Sequence, residues 1–399
     1  MTTATLNKSD LMAPAVAQTM ETRSMFIGLV GAVASIAAAF IAPDNFYSAY
    51  LTVYVAALGL SLGCMAIVML YHLVGGAWGT VIRRIMEAGM MTLPLMAVLF
   101  LPIFFNLDRL YDWARPGVVA KDPKLIDITH SYLYSGGIFW RYVIYFAIWI
   151  GMAFLLSRWS SQQDYPESEG RSTLRFRALS APGLVLYSLT ASFAIIDWVM
   201  SLQARWISTI YGLIFIAGQA LAAFSFAVVI EHILSKRKPM SDYLTPTQVH
   251  DHGKFMLAFV MVWAYFNFSQ WLIIWAGNLP EEIPWFLRRM NGGWGWVGLF
   301  LAAFHFAVPF ALLLSRQFKR RVGSLVWLGA GILVVRLVDI WWHVEPAASP
   351  TIHVSWSLFA VLAGIGGLWM AYFFRNLRSR PLLAVYAPQT LRLLEPSHE

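Results

Sequence analysis

Apolar residues form ten long runs along the chain, and most charged residues stand in the short stretches between those runs. Each run has about 20 residues, the length that a helix needs at 1.5 Å per residue to cross ~30 Å of hydrocarbon. Membrane β-strands need only about ten residues with alternating polarity, and the runs lack that alternation. The pattern therefore predicts an all-α integral membrane protein with ten transmembrane helices, over residues 24–42, 50–73, 88–105, 136–156, 182–202, 211–234, 254–276, 294–314, 324–342 and 355–374.

The composition supports lipid as the solvent for this chain. Of its 399 residues, 59% are hydrophobic and 13% are charged, whereas soluble domains have about 25% charged residues. The 18 Trp and 16 Tyr suit a protein with two membrane interfaces, because these side chains settle at the level of the lipid headgroups. The formal charge of +8 lies mainly in short loops, which favours a role in topology over nucleic-acid binding.

The distribution of Lys and Arg predicts the orientation of the helices. The amino terminus, the even-numbered loops and the carboxyl tail hold 20 of these residues, and the other loops hold 7. Basic residues are concentrated on the cytoplasmic side of membrane proteins. Both termini are therefore expected in the cytoplasm.

The predicted helices two to five resemble helices six to nine. Four landmarks recur in the same order: a histidine at the end of the first helix, a Gly-Gly pair before the third, a Leu-Leu-Ser-Arg end to the third, and an aspartate in the fourth. Four helices separate the copies, so the repeat is parallel, with its axis along the membrane normal. The predicted division is residues 1–49 (amino terminus and helix 1), 50–202 and 203–345 (two tandem four-helix bundles), and 346–399 (helix 10 and tail).

The sequence argues against a redox centre bound by this chain. Its one cysteine, Cys64, cannot hold an iron–sulfur cluster, and there is no Cys-x-x-Cys-His haem attachment motif. A haem on His305, near the centre of helix eight, would need a second axial ligand at the same depth, but His72 and His232 lie near the membrane surface. No metal-ligand cluster is evident, and residues 250–252, His-Asp-His, are interpreted as a loop.

Ionisable residues inside a membrane are costly and are therefore candidates for function. Asp197 and Asp339 are expected near the outer ends of helices five and nine, either as carboxylates that touch water or cap a helix, or as proton acceptors. Arg336 and Asp339 are three residues apart, so they share a helix face and are expected to form an ion pair. A structural role is favoured for that pair, because a bound arginine stabilises the ionised carboxylate.

Further candidates for a proton path lie at the middle and the inner ends of the helices. His305 is either a hydrogen-bonded structural residue or a proton relay, since histidine changes its charge near neutral pH. Glu87, His72, Glu231 and His232 are expected at inner helix ends, and Lys254, His250 and His252 are expected at a similar depth. Solvation at the interface explains each of these residues alone. Together they could form an inner proton entry.

Three stretches of the chain resemble a known family. Residues 197–212 read Asp-Trp-Val-Met-Ser-Leu-Gln-Ala-Arg-Trp-Ile-Ser-Thr-Ile-Tyr-Gly, residues 259–265 read Phe-Val-Met-Val-Trp-Ala-Tyr, and residues 278–285 read Asn-Leu-Pro-Glu-Glu-Ile-Pro-Trp. They resemble the ActF subunit of bacterial alternative complex III, a member of the NrfD-like, polysulfide-reductase-C-like superfamily. The chain departs from that family at residues 203–206, Gln-Ala-Arg-Trp, where an Asp-Pro-His is expected.

This resemblance implies a multi-pass subunit of a quinol:electron-acceptor oxidoreductase in the bacterial inner membrane. It implies pairing with a larger ActC-like paralogue, to which the menaquinol or ubiquinol site belongs, and anchoring of an iron–sulfur subunit and multihaem cytochrome c subunits beside small membrane subunits. The ionisable residues at inner, middle and outer depths add the hypothesis that the two bundles carry protons between the membrane faces in a respiratory or photosynthetic chain. The alternatives are a quinol-binding subunit in its own right, a purely structural anchor, and a secondary transporter, which would have discontinuous helices around a midplane cavity.

Overall fold

The computed structural model describes residues 8–168 and 173–394. Within these residues, ten helices are long and apolar enough to span a membrane, and no strand is formed. The prediction of an all-α integral membrane protein with ten spans is confirmed. The spans, numbered here α1 to α10, are Ala15–Ile41, Asn45–Val74, Ala77–Phe104, Ser135–Gln162, Leu174–Gln203, Tyr211–Ser235, Pro246–Gly277, Trp294–Leu314, Val322–Ala348 and Trp356–Arg378.

Short helices lie at the two ends of the bundle. The described chain ends meet at one of these ends, where the backbone N–H of Leu382 donates to the carbonyl oxygen of Leu11 at 2.7 Å. We call this end the terminal face, and we call the opposite end, which carries the long α3–α4 connection, the loop face. The terminal face holds Lys8–Leu11, Pro166–Ser168, Met240–Tyr243, Arg316–Arg320 and Pro388–Leu394, and the loop face holds Leu107–Leu110, Asp112–Ala114, Pro116–Val119, Pro123–Ser131 and Ile283–Met290.

Helices α2 to α5 and helices α6 to α9 form two groups with the same internal order. In each group the first helix contacts the second and the fourth, and the third contacts the second and the fourth. The groups meet where α2 contacts α6 and α9, and where α5 contacts α6. We call the α2–α5 group the first bundle and the α6–α9 group the second bundle.

Glycines allow two close helix contacts. On α2, a side-chain carbon at Gly63 would lie 2.2 Å from the backbone oxygen of Gln219 on α6, so these helices touch through their backbones. On α1, a side-chain carbon at Gly31 would lie 2.2 Å from the backbone nitrogen of Gly364 on α10. Small residues serve this purpose in membrane helices, where close approach supplies the packing energy. Helices α1 and α10 thus pair with each other beside the two bundles.

Several helices begin earlier or end later than the apolar runs predict. Helix α1 begins at Ala15 rather than 24, α3 begins at Ala77 rather than 88, and α9 ends at Ala348 rather than 342. The cause is the same in each case: polar and charged turns continue the helix, because their side chains are paired or face the membrane interface. A rule that ends a span at its first charged residue therefore shortens these helices.

Two spans depart from regular α-helix within their length without unwinding, and α5 ends in a 3-10 helix over Met200–Gln203. Helix α3 makes a turn at Met91–Thr92, two residues before Pro94, and α8 contains a π-helical segment over Ala302–Ala307, just before Pro309. Proline has no N–H to continue the hydrogen-bond ladder, so Pro94 and Pro309 give these two irregular turns a direct cause. The described spans show none of the unwound midplane segments that a transporter of the discontinuous-helix type would need.

Candidate functional site

The loop-side cluster of the second bundle is centred on Asp339 of α9, a carboxylate that is 1% exposed. Arg336, one turn earlier, forms an ion pair with it, and Nε1 of Trp263 on α7 donates to its Oδ2 at 3.2 Å. Arg336 also donates to the carbonyl oxygen of Phe215 on α6 at 3.4 Å. The ion pair predicted from the spacing is confirmed, and it joins three helices of the bundle.

Two buried imidazoles flank Asp339. Nδ1 of His305 lies 3.9 Å from its Oδ2, and Nε2 of His343 lies 3.7 Å from its Oδ1. Nδ1 of His343 is 3.1 Å from the hydroxyl of Tyr211, but Nε2 of His343 and both nitrogens of His305 lack a hydrogen-bond partner among the described residues. Buried polar atoms are nearly always paired, so these three nitrogens are available to bind a water molecule or a ligand, as are Oδ1 of Asp197 and Nη2 of Arg141 in the first bundle.

The π-helical segment of α8 positions His305 within this cluster. The imidazole is buried and packs edge-on against the indole of Trp263, with ring centroids 4.0 Å apart. Because Pro309 cannot donate to the carbonyl oxygen of His305, the regular ladder is interrupted at this residue. Such π-helical turns are frequent at functional sites, and here one carries the only ionisable residue of α8.

Arg289, on the loop-face helix Ile283–Met290, covers the cluster from the loop side. Its guanidinium lies 3.6 Å from the ring centre of Trp285 and donates to the carbonyl oxygens of His343 at 2.7 Å and Trp342 at 3.2 Å. It also donates to Oε1 of Gln203 at 3.1 Å, and none of these partners is anionic. Burial lowers its pKa to about 9, so the side chain stays charged at neutral pH without a counter-charge.

A cavity of about 710 Å³ adjoins these groups, between α7, α8, α9 and the helix Ile283–Met290. Its walls are mainly aromatic and aliphatic, with Asp339, His343 and Arg289 as the charged or titratable groups. Tyr265 and Phe268 on its rim are 65% and 59% exposed, so the cavity opens sideways toward lipid. An apolar cavity with a few convergent polar groups is the usual form of a small-molecule site.

The loop-side cluster of the first bundle contains Asp197 of α5, the repeat counterpart of Asp339. Nε of Arg141 on α4 lies 2.8 Å from its Oδ2, and the hydroxyl of Tyr145 donates to the same oxygen at 2.9 Å. Asp197 is 1% exposed. The expectation of a carboxylate in contact with water is therefore wrong, because a neighbouring helix supplies its partners inside the bundle.

The terminal-side cluster of the first bundle contains Glu87, which is 3% exposed. Arg83 lies 2.8 Å and Arg84 lies 3.1 Å from its carboxylate, and the hydroxyl of Ser160 donates to it at 2.6 Å. Arg84 also lies 2.5 Å from Oδ1 of Asp164. The interpretation of Glu87 as a solvated helix end is wrong, since α3 begins at Ala77, ten residues before Glu87, and two arginines pair with its buried carboxylate.

The terminal-side cluster of the second bundle consists of Glu231, His252 and the carbonyl oxygen of Trp78. Nδ1 of His252 lies 3.0 Å from Oε2 of Glu231, and its Nε2 lies 2.8 Å from the oxygen of Trp78. A carbonyl only accepts, so Nε2 carries a proton, and one further proton lies between Nδ1 and the carboxylate. Glu231 is 1% exposed, so its interpretation as an interfacial, solvated residue is also wrong.

The interpretation of residues 250–252 as a loop is wrong. Helix α7 begins at Pro246, where Thr245 and Gln248 form a capping box, and this start places the three residues in its first turns. A capping box satisfies two backbone N–H groups at a helix start. Within the described residues, no group of three or more His, Cys, Asp or Glu side chains could hold a metal ion.

The remaining two candidates lie near the terminal face and outside these clusters of hydrogen bonds. His72 is half-buried and stacks on Phe176 with ring centroids 4.4 Å apart, and His232 is half-buried at the end of α6. Their position near the membrane surface agrees with the sequence prediction. The structure therefore separates the eight predicted residues into three sets. His305, Arg336, Asp339 and Glu231 lie in the second bundle, Glu87 and Asp197 are paired acids of the first bundle, and His72 and His232 are peripheral.

Sequence reasoning missed two residues of the site, His343 and Arg289, and placed a third, His252, in the wrong kind of structure. His343 is four residues after Asp339, a spacing that places both on one helix face, but the predicted span ended at residue 342. His252 was assigned to a loop, and Arg289 lies between two predicted spans. The sequence signal for His343 was its helical spacing from Asp339, and the signal for His252 was the capping motif at Thr245 and Gln248. The position of Arg289 depends on how its short helix folds back onto α9.

Comparison with known proteins adds no assignment. No protein-family model matches the chain, and no curated protein matches it either. The geometry of the second bundle and the family-like stretches of the sequence are the remaining guides to function.

Proposed function

We propose that this chain is the ActF-type membrane subunit of a quinol:electron-acceptor oxidoreductase, of the kind represented by bacterial alternative complex III. In this proposal it lies in the bacterial inner membrane with both termini in the cytoplasm. It pairs with an ActC-like paralogue and anchors iron–sulfur and multihaem subunits, which hold the redox centres. The bias of Lys and Arg supports the orientation, and it persists when the buried Arg83 and Arg84 are left out.

The positions of the family-like stretches support this proposal. Trp206 of the first stretch stacks on Trp285 of the third, with ring centroids 4.5 Å apart. Ser208 of the first stretch donates to Gln270 of α7, and Trp263 of the second stretch binds Asp339. Residues of the second and third stretches thus line one cavity, and the first stretch packs against residues of its wall, as expected if the three stretches share a function.

We further propose that the second bundle conducts protons, and the observation that carries this is the set of unpaired imidazole nitrogens beside Asp339. In the proposed path, a proton enters at Glu231 and His252, near the terminal face, and leaves through His305 and His343, near the loop face. Phe215, whose carbonyl oxygen accepts from Arg336 of the loop-side cluster, precedes Glu231 by 16 residues on α6. This separation is ~24 Å by helical rise. Water molecules would have to bridge that distance.

The first bundle has a structural role in this proposal. Its acids at both ends, Glu87 and Asp197, each accept from an arginine and a hydroxyl group. Arginine does not release its proton at physiological pH, and it stabilises the charged form of a bound carboxylate. Ion pairs of this kind join helices but make poor proton carriers.

The proton path predicts a selective defect in His305→Gln and His343→Gln. Glutamine keeps a polar side chain of similar length but cannot carry a proton. Proton release in excess of the one proton per electron that quinol oxidation itself yields should therefore fall about tenfold or more. The measurement is acidification by the purified complex in liposomes, per electron delivered to its acceptor. His353→Gln is the matched control, since His353 is exposed on the loop face. Proton release per electron equal to wild type in both buried variants would refute the path.

A second candidate function is quinol binding in this chain, favoured by the cavity of about 710 Å³. Its aromatic walls suit an isoprenoid quinol ring and tail. Nε2 of His343 could accept a hydroxyl proton, and the uncompensated charge of Arg289 could stabilise the phenolate that forms. Electrons would pass to the redox centres of partner subunits.

Quinol binding predicts that Gly298→Leu blocks the cavity. A side-chain carbon at Gly298 would lie 3.8 Å from Trp342, so leucine enters the cavity without a backbone clash. Photolabelling of the complex with an azido-quinone, followed by mapping of the labelled peptides, should place label on α7 in wild type and about tenfold less in the variant. Gly151→Leu is the control, since its side chain meets open space on the outer face of α4. Label confined to partner subunits would exclude this candidate.

A further inference from the structure

An apolar groove of about 490 Å³ lies between α8 and α9 in the half of the molecule next to the terminal face. On α8 it is lined by Phe304, Val308 and Leu312, and on α9 by Trp327 and Leu328, with Phe318 at its end. Along α9 it runs from Ser324 to Val335, which is ~16 Å by helical rise. That length matches one leaflet of a bilayer whose hydrocarbon is ~30 Å thick.

The groove exists because the terminal half of α8 leaves α9. This half, Val308–Leu314, follows the π-helical segment and packs chiefly on α7. On the opposite wall, Gly331 has no side chain, and a carbon added there would meet no atom within 4 Å. The groove is therefore open along its length to the surrounding lipid.

Three arginines lie next to Phe318 in the chain, at the end of the groove nearest the terminal face, which we call its mouth. Arg316 and Arg320 belong to the short helix Arg316–Arg320, whose Phe318 lines the groove, and Arg321 follows it. All three side chains are exposed, and the ion pairs found in the described part of the chain involve other residues. Lys319 is buried against Gly253 of α7 instead. The mouth thus presents positive charge that the chain does not neutralise.

Trp327 marks the level of the membrane interface at this groove. It lies one turn into α9 and is 81% exposed. Exposed tryptophans in membrane proteins settle among the lipid headgroups. The arginines, which precede it in the chain, therefore lie where lipid phosphates are found.

We propose that this groove binds an anionic phospholipid, with one acyl chain between α8 and α9 and its phosphate at Arg316, Arg320 and Arg321. Arginine presents planar, paired N–H donors that fit a phosphate group. Basic pockets between membrane helices are the form that such lipid sites take. This site is separate from the cavity beside Asp339 and does not depend on the proposed function.

The test is lipid binding to the intact purified protein, measured by native mass spectrometry with dioleoyl phosphatidylglycerol and dioleoyl phosphatidylcholine. We expect wild type to bind phosphatidylglycerol about tenfold more tightly or better. Arg316→Gln with Arg320→Gln should weaken that binding roughly thirtyfold. Lys236→Gln with Arg237→Gln is the matched control, since these exposed residues lie on the same face away from the groove.

A second variant tests the groove itself. Gly331→Leu fills open space, so the protein should fold normally, and both lipids should bind about tenfold more weakly; Gly151→Leu should bind them as wild type does. Equal affinity for the two lipids, an equal loss in the Lys236–Arg237 control, or normal binding by Gly331→Leu would each overturn the proposal. So would a photocrosslink from position 327 to a partner subunit in the assembled complex, because a protein would then occupy the groove.

Discussion

Replacement of Glu87 by alanine is expected to destabilise the protein by about 3–5 kcal/mol, because Arg83 and Arg84 would stay buried without their shared carboxylate. Cys64 is the only cysteine of the chain and is fully buried on α2. A thiol-reactive fluorogenic dye therefore reports unfolding directly in detergent. The midpoint of a thermal scan should fall by roughly 5 °C or more.

The control for this prediction is an acid in an exposed ion pair. Glu281 lies 3.3 Å from Lys124 on the loop face, with both side chains largely exposed. Exposed pairs contribute about 0–1 kcal/mol, so Glu281→Ala should leave the midpoint nearly unchanged. Equal midpoints for Glu87→Ala and Glu281→Ala would show that the buried cluster does not stabilise the first bundle.

The ion pair of Arg336 and Asp339 should behave differently when it is broken and when it is removed. Arg336→Met alone leaves a buried, unpaired carboxylate and should cost about 3–5 kcal/mol. Arg336→Met with Asp339→Leu leaves no charge, and replacement of buried pairs by apolar residues is often neutral. Thiol labelling should therefore show most of the stability restored in the double variant.

The same double variant separates folding from function. If Asp339 stabilises a proton on His305 or His343, the restored protein should still lose proton release in liposomes. If the double variant is as unstable as Arg336→Met, the bundle depends on the ion pair itself, and not only on the absence of an unpaired buried charge. A stable double variant with normal proton release would remove Asp339 from the proposed path.

The sequence predicts well what depends on local spacing. Ten apolar runs specify ten spans, prolines specify the irregular turns in α3 and α8, and a separation of three residues specifies the pair of Arg336 and Asp339. Each of these inferences needs only the geometry of one helix. The parallel positions of Asp197 and Asp339 likewise followed from the repeat.

The prediction fails where polar residues continue a helix. The apolar runs exclude His252 and His343, although both residues lie on spanning helices. Hydropathy alone cannot distinguish a polar helical turn that is buried and paired from one that is in water. Contacts between helices, such as Arg141 with Asp197, depend on packing that no single run contains. The cavity depends on Ile283–Met290 folding back over the second bundle, a fold that neither apolar periodicity nor charge indicates.

The backbone contact at Gly63 has a consequence for any motion of the molecule. Helices α2 and α6 are in backbone contact at this glycine. Each of them also packs against other helices of its own bundle. If one bundle rocked against the other, α2 and α6 would separate at this contact. Gly63 has no side chain that could fill the resulting gap. In the proposed proton path, transfer would therefore depend on rotation of imidazole rings and rearrangement of water, and not on movement of one bundle against the other.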